Sequence, residues 1–149
     1  MTAINSVEVY DQFANEYDAW FEKHLNFYQS ELLAMKQAVP QHKKGIEIGV
    51  GTGRFAEPLH IKYGVEPSAG MSVLAKQRGV KVFNAVAEDL PIENQSYDLA
   101  TMITTVCFLN DIPRAFSEVH RILKPAGAFI IGLIDRNSEL GKKYDLLKR

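Results

Sequence analysis

The 149-residue chain contains a single cysteine, Cys107. That excludes an internal disulfide framework and a zinc cage built from cysteines, and makes a reducing compartment, the cytoplasm, the expectation. Long apolar runs are missing as well. The longest, Ala126 to Ile134, is strand-sized and far short of the roughly 20 residues a membrane helix needs. Residues Met1 to Val9 carry neither the basic region nor the apolar stretch of a secretory leader. Charge excess is absent too. The formal net charge is -1, so no global field draws the chain to nucleic acid or to an anionic membrane, and a partner has to be chosen by a local pocket. There is no internal repeat and no low-complexity segment. What remains is 46% hydrophobic residues, a globular composition. A chain of this length suits one domain that buries roughly 70% of its unfolded surface.

The first forty residues read as helical. Tyr10, Phe13, Tyr17 and Trp20–Phe21 recur at the spacing of one helix face, and a second helix spans about Phe27 to Val39 until Pro40 stops it. The pattern then changes to strands alternating with helices. Gly45 to Gly49 is a short apolar strand that breaks into glycine, and the glycine turn is expected to lead into a helix. Ile61 to Glu66 is a second strand, followed by a helix that Ser68 can cap and Gly79 can end. Val80 to Phe83 and Tyr97 to Thr104 are the third and fourth strands. Asp111 opens a helix with Pro113 in its first turn and Ala115, Phe116, Val119, Ile122 and Leu123 on its inner face. Lys124-Pro125-Ala126-Gly127 ends that helix, Ala128 to Ile134 is a fifth strand, and Ser138 starts a last helix that runs to the chain end. Such alternation predicts an α/β, doubly wound, mostly parallel sheet of about five strands. Residues 1–149 are expected to form one domain, with 1–42 a helical cap and 43–149 the core. Ligands of such folds sit at the carboxyl ends of the strands, where the strand order reverses.

The first turn after a strand is therefore the place to look. Gly49, Gly51 and Gly53 alternate within Glu47-Ile48-Gly49-Val50-Gly51-Thr52-Gly53-Arg54. Glycine permits positive φ and close approach of a ligand to the backbone. Glu66 follows seventeen positions after Gly49, at the end of the next strand. A carboxylate there can accept hydrogen bonds from both hydroxyls of a ribose. Nicotinamide cofactors use the same geometry, but their G-x-G-x-x-G/A fingerprint needs a small residue at position 54, where this chain has Arg54. A nicotinamide-dependent oxidoreductase is therefore disfavoured.

These residues resemble the class I S-adenosylmethionine-dependent methyltransferases, in particular the small-molecule branch known as methyltransferase type 11. Gly45 to Phe55 is similar to the first motif and Gly64-Val65-Glu66-Pro67-Ser68 to the second. Ala87-Glu88-Asp89-Leu90-Pro91, Ser96-Tyr97-Asp98 and Leu123 to Gly127 match later ones in order, so the resemblance runs from about Tyr10 to the last residue. It implies S-adenosylmethionine as cofactor, S-adenosylhomocysteine as product and a small-molecule methyl acceptor. Glu47 would order the glycine loop, the Gly49 carbonyl would face the cofactor's ammonium, and Glu66 would take the ribose. Met71 would pack on the adenine, with Ala87 and Glu88 at its edge. Thr104 and Thr105 would open toward the transferred methyl, and Tyr17 would close over the methionine end. Met71 can equally be plain core, Thr104 and Thr105 plain strand residues, and Tyr17 a filler between helices.

The chain departs from the family in three places. Val86 stands where many relatives have aspartate, which leaves the adenine to Glu88 or to backbone groups. Lys-Pro-Ala-Gly replaces the usual Lys-Pro-Gly-Gly, a change expected to matter little. The family's final antiparallel hairpin is missing after the fifth strand, so an exposed apolar edge is expected to pair in a homodimer or be covered. No catalytic residue is singled out by the sequence. Asp18, His24 and Asp111 are candidates for a general base, and Cys107 reads as core because no histidine is placed to activate it. A cofactor-binding module without catalysis is the alternative to an enzyme.

Overall fold

The computed structural model describes residues 3–147, with side chains from 6 to 146. The described elements run α1 (Ala3–Gln12), α2 (Ala14–Lys23), α3 (Leu25–Ala38), β1 (Gly45–Ile48), β2 (Tyr63–Val65), α4 (Ala69–Gln77), β3 (Lys81–Phe83), β4 (Tyr97–Ile103), α5 (Ile112–Ile122), β5 (Leu123–Gly132) and α6 (Glu139–Leu147). A single 3-10 turn lies at Val106–Phe108. Local chemistry sets several of these boundaries. Pro40 disfavours a helical Val39, which is extended at φ -74 and ψ 119, and α3 ends there. Ser68 Oγ accepts the Met71 N–H at 3.2 Å and opens α4. Asp111 accepts the Arg114 N–H at 3.0 Å and opens α5. The last helix begins at Glu139; the final two residues of the chain lie outside the described residues.

The five strands form one sheet in the order β3-β2-β1-β4-β5, and every pairing is parallel. Both faces are covered. On one face Phe21 of α2, Met35 of α3 and Ala75 of α4 pack with Leu99 and Ile103 of β4. On the other, Ala115, Val119 and Ile122 of α5 pack with Ile46, Ile48, Ala100 and Met102. The alternation along β4 thus feeds two layers, as expected for a strand buried on both sides. Ala115, Val119 and Ile122 are wholly buried; each of the larger two is worth about 1.5–3 kcal/mol on burial.

The helix read over Tyr10 to Phe21 is broken at Phe13, and β5 starts at Leu123, read as part of the preceding helix, and ends at Gly132 rather than Ile134. Two further differences have a local physical cause. The glycine turn does not open into a regular helix; residues 51–60 form a series of turns. Pro58 has no N–H to bond the Arg54 carbonyl, and the Tyr28 hydroxyl donates to that carbonyl instead, at 2.5 Å. His60, at φ 58, closes the segment. The second feature lies at the start of β5, where pairing jumps from Tyr97↔Leu123 to Leu99↔Ala128. This bulge holds Ala126 at φ 64. A left-handed backbone costs a residue with a Cβ about 1–2 kcal/mol, so alanine in place of the family's glycine has a consequence that its small size conceals. Beyond this bulge β5 pairs with β4 alone among the described strands, which leaves its outer edge without a strand partner. No helix among the described residues is long and apolar enough to cross a membrane.

Candidate functional site

The strand order turns back on itself between β1 and β4, and a cavity opens there at the carboxyl ends of the strands. Gly49 and Gly51 line it after β1, Glu66 after β2, Ala87 and Glu88 after β3, and Thr104 and Thr105 after β4. The glycine turn is fixed from beneath, because the N–H groups of Gly49 and Val50 both donate to the Val65 carbonyl, at 2.8 and 3.0 Å. Gly49 has φ 75, and a Cβ there would come within 2.5 Å of the Thr105 side chain. At Gly51 an added Cβ would meet only Met71 Cε, at 3.5 Å, so a side chain would take up cavity space beside Met71. Gly53 does not line the cavity; a Cβ there would lie 3.2 Å from Ala75 Cα, so its role is to let the turn approach α4.

Glu66 joins these parts. Its Oε2 accepts the Gly51 N–H at 2.9 Å and its Oε1 the Ser68 N–H at 3.0 Å. It is only 8% exposed, and that exposure is toward the cavity it lines. Burial raises its carboxyl above the ordinary range, opposed by the two backbone hydrogen bonds. Each oxygen retains a lone pair after those bonds, which leaves the group able to accept further donors. Tyr17 and Met71 also line the cavity. Loss of water raises the Tyr17 hydroxyl well above its usual value, with Tyr10, Glu47 and Glu66 adding to the effect. Thr104 stands at φ 52 and donates its hydroxyl to the Ile103 carbonyl at 2.7 Å. A β-branched residue in that conformation is strained, and such strain concentrates at functional sites.

Other expected site residues are placed differently. Glu47 is wholly buried beneath the sheet end and does not line the cavity. Its Oε1 has no hydrogen-bond partner, and burial, with the nearby Glu66 charge, holds its carboxyl well above the usual range. Glu88 lines the cavity, but its Oε1 is already taken by the N–H groups of Asn110 and Asp111, at 2.8 and 3.2 Å. None of the three candidate bases lines the cavity. Asp18 is gripped by Arg54 and Arg78, His24 bonds the Trp20 carbonyl and stacks on its ring, and Asp111 caps α5. Cys107 is exposed rather than core, because the short turn at Val106–Phe108 leaves it at the surface. Sequence reasoning placed Tyr10 on a helix face and missed Ser6 and Phe108, yet all three line the cavity. Tyr10 meets Tyr17 and Phe108 edge to face, each at 5.5 Å between ring centres. A signal was present: Tyr10-Asp11 and Tyr17-Asp18 are the same dipeptide, seven residues apart.

Fold and cavity together define a Rossmann-like α/β domain with a cavity at the switch point of the sheet. The profile of the methyltransferase domain matches residues 46–131. The uncharacterized protein MJ1123 of Methanocaldococcus jannaschii is 43% identical over 96% of this chain and 69% of its own length. A solved SAM-dependent methyltransferase from Thermotoga maritima (TM1293), described as a possible histamine N-methyltransferase, superposes with a TM-score of 0.88 at 50% identity over 95% of this chain and 68% of that one. The uncharacterized protein Rv2003c of Mycobacterium tuberculosis is 34% identical over 89% of this chain, which spans only 48% of it. The chain belongs to the class I S-adenosylmethionine-dependent methyltransferases, and family and fold make S-adenosylmethionine its cofactor. The residues present fit that group. A nearly buried carboxylate faces the cavity, and the wall at Gly51 leaves room for a ligand.

Proposed function

We propose that this chain holds S-adenosylmethionine for transfer of its methyl group to a small-molecule acceptor. The observation that carries the reading is Glu66, a nearly buried carboxylate that ties the glycine turn to α4 and still faces the cavity. In this reading Glu66 accepts the two ribose hydroxyls and the Gly49 carbonyl receives the ammonium. Gly51 leaves space for the ligand, Gly53 seats the turn on α4, and Glu47 supports it from below. Met71 packs on the adenine, whose edge meets the Ala87 amide and the free Glu88 oxygen. Tyr17 closes the methionine end, and Thr104 and Thr105 border the methyl. Residues 1–42 act as a cap on the core, 43–149, of a single domain. When bound, the cofactor supplies a methyl group already activated on a sulfonium. The chain's own work is then to align the acceptor and keep water out. The description of the T. maritima protein makes imidazole-bearing amines the first acceptors to screen. The outer edge of β5, without a strand partner among the described residues, is expected to pair with a second copy or to be covered in another way.

Calorimetric titration with S-adenosylhomocysteine tests the reading. Each hydrogen bond to a charged group is worth roughly 1.5–3 kcal/mol, so Glu66→Ala is expected to weaken binding at least about tenfold. Equal affinity in parent and variant would remove Glu66 from the site. A thermal shift with S-adenosylhomocysteine and none with NAD is expected of the parent, and turnover of any acceptor separates an enzyme from a binding module.

A further inference from the structure

Each tyrosine that reaches the cavity from the N-terminal helices is followed by an aspartate that grips the core. Asp18, after Tyr17, is fixed to Arg54 and Arg78 and secures α2. Asp11, after Tyr10, makes a different attachment. Its Oδ1 accepts the Ser68 hydroxyl at 2.5 Å and the Gly70 N–H at 2.9 Å, so it supplies an acceptor to the first turn of α4. Ser68 at the same time donates its backbone N–H to Glu66 Oε1 at 3.0 Å. One residue therefore links the cavity carboxylate to the end of α1. The contact is close by design of the sequence, since a Cβ at Gly70 would stand 2.8 Å from the Asp11 carbonyl oxygen.

The cavity-facing residues of α1 lie just ahead of this attachment. Ser6, Val7 and Tyr10 form part of the cavity wall, and Tyr10 reaches across to Phe108. The helical path is broken between the two aspartates, at Phe13, where φ is -115 and ψ 26. α2 is thus held by two part-buried guanidinium contacts on one side of the break. On the other side α1 is fastened through Asp11, an exposed residue.

Building on the cofactor reading above, we propose that Asp11 is a positioning residue that fastens α1 over the cavity and, through Ser68, ties that closure to the carboxylate Glu66. A ligand whose hydroxyls fix Glu66 also fixes Ser68, and with it the donor that Asp11 needs. By linkage, the fastened α1 holds such a ligand more firmly. Asp11 touches no ligand in this scheme; it acts on how long the cavity stays shut.

Surface plasmon resonance with S-adenosylhomocysteine, joined to hydrogen exchange of the α1 amides, tests this. Loss of a capping acceptor of this kind predicts dissociation about fivefold faster from Asp11→Ala, with the melting temperature of the ligand-free protein lowered by no more than about 2–4 °C. Asp11→Asn retains an Oδ1 for both donors and is expected to recover most of the parent's residence time. In the parent, S-adenosylhomocysteine slows exchange in α1, and in Asp11→Ala it does not. Parent-like dissociation from Asp11→Ala, or ligand-induced protection of α1 that survives in that variant, overturns the proposal while leaving the cofactor site intact. A parent that fails to bind S-adenosylhomocysteine at all overturns the cofactor reading, and the proposal with it.

Discussion

Replacing Asp18 with asparagine asks whether charge holds the helical cap to the core. Asp18 Oδ1 accepts Arg54 Nε at 2.9 Å, and its Oδ2 accepts one nitrogen of Arg54 at 3.0 Å and one of Arg78 at 2.9 Å. Arg78 continues to the Thr52 carbonyl at 2.9 Å, so the cluster runs from α2 into the glycine turn. The three side chains are 14–22% exposed. Burial by itself would raise the Asp18 carboxyl, but the hydrogen bonds from Arg54 and Arg78 outweigh it and hold it at about 2, against an ordinary 3.8. That difference corresponds to roughly 2.5 kcal/mol of folding free energy, which residual solvent contact trims to about 2 kcal/mol. Because the folded value is the lower one, this stability is complete above about pH 4 and drains away as the pH falls toward 2. Asparagine imitates the protonated acid. Asp18→Asn is therefore expected to unfold at a melting temperature roughly 4–8 °C below the parent at pH 7. Urea unfolding followed by circular dichroism should show the deficit shrinking to about half near pH 3. Glu22→Gln serves as the comparison. Glu22 is 71% exposed and touches only Arg54, at 3.2 Å, so its loss is expected to stay within about 0.5 kcal/mol. An Asp18→Asn variant as stable as the Glu22→Gln variant at pH 7, or one whose deficit is undiminished in acid, would refute the reasoning.

Two further outcomes follow from the backbone. Ala126→Gly relieves the left-handed strain in the β5 bulge; after the entropy that glycine adds to the unfolded chain, the expected gain is about 0.5–1 kcal/mol, and a lower melting temperature would contradict it. Light scattering of this chain is expected to give twice its 16.7 kDa mass through pairing along the outer edge of β5, and a monomer whose β5 amides exchange freely would count against that pairing.

Short-range pattern was enough to order the five strands and to point to the cavity at their carboxyl ends. Ile46 and Ile48 before three alternating glycines, and Glu66 at the end of the next strand, mark a ligand turn because short-range pattern governs where strands stop and where backbone can bend left-handed. Strand-helix alternation likewise dictates a parallel sheet. The partners of the polar side chains, in contrast, were set by long-range packing. Asp18 read as a possible base and proves to be a bridge to Arg54 and Arg78, 36 and 60 residues away. Asp11 reaches Ser68 across 57 residues. Glu88 gives one oxygen to amides of the loop before α5, and the helix expected after the glycines yields to Pro58 with the Tyr28 hydroxyl as substitute donor. A charged group will bond whichever complementary group folding brings within reach, and that choice is made by the packing of distant segments rather than by their local order.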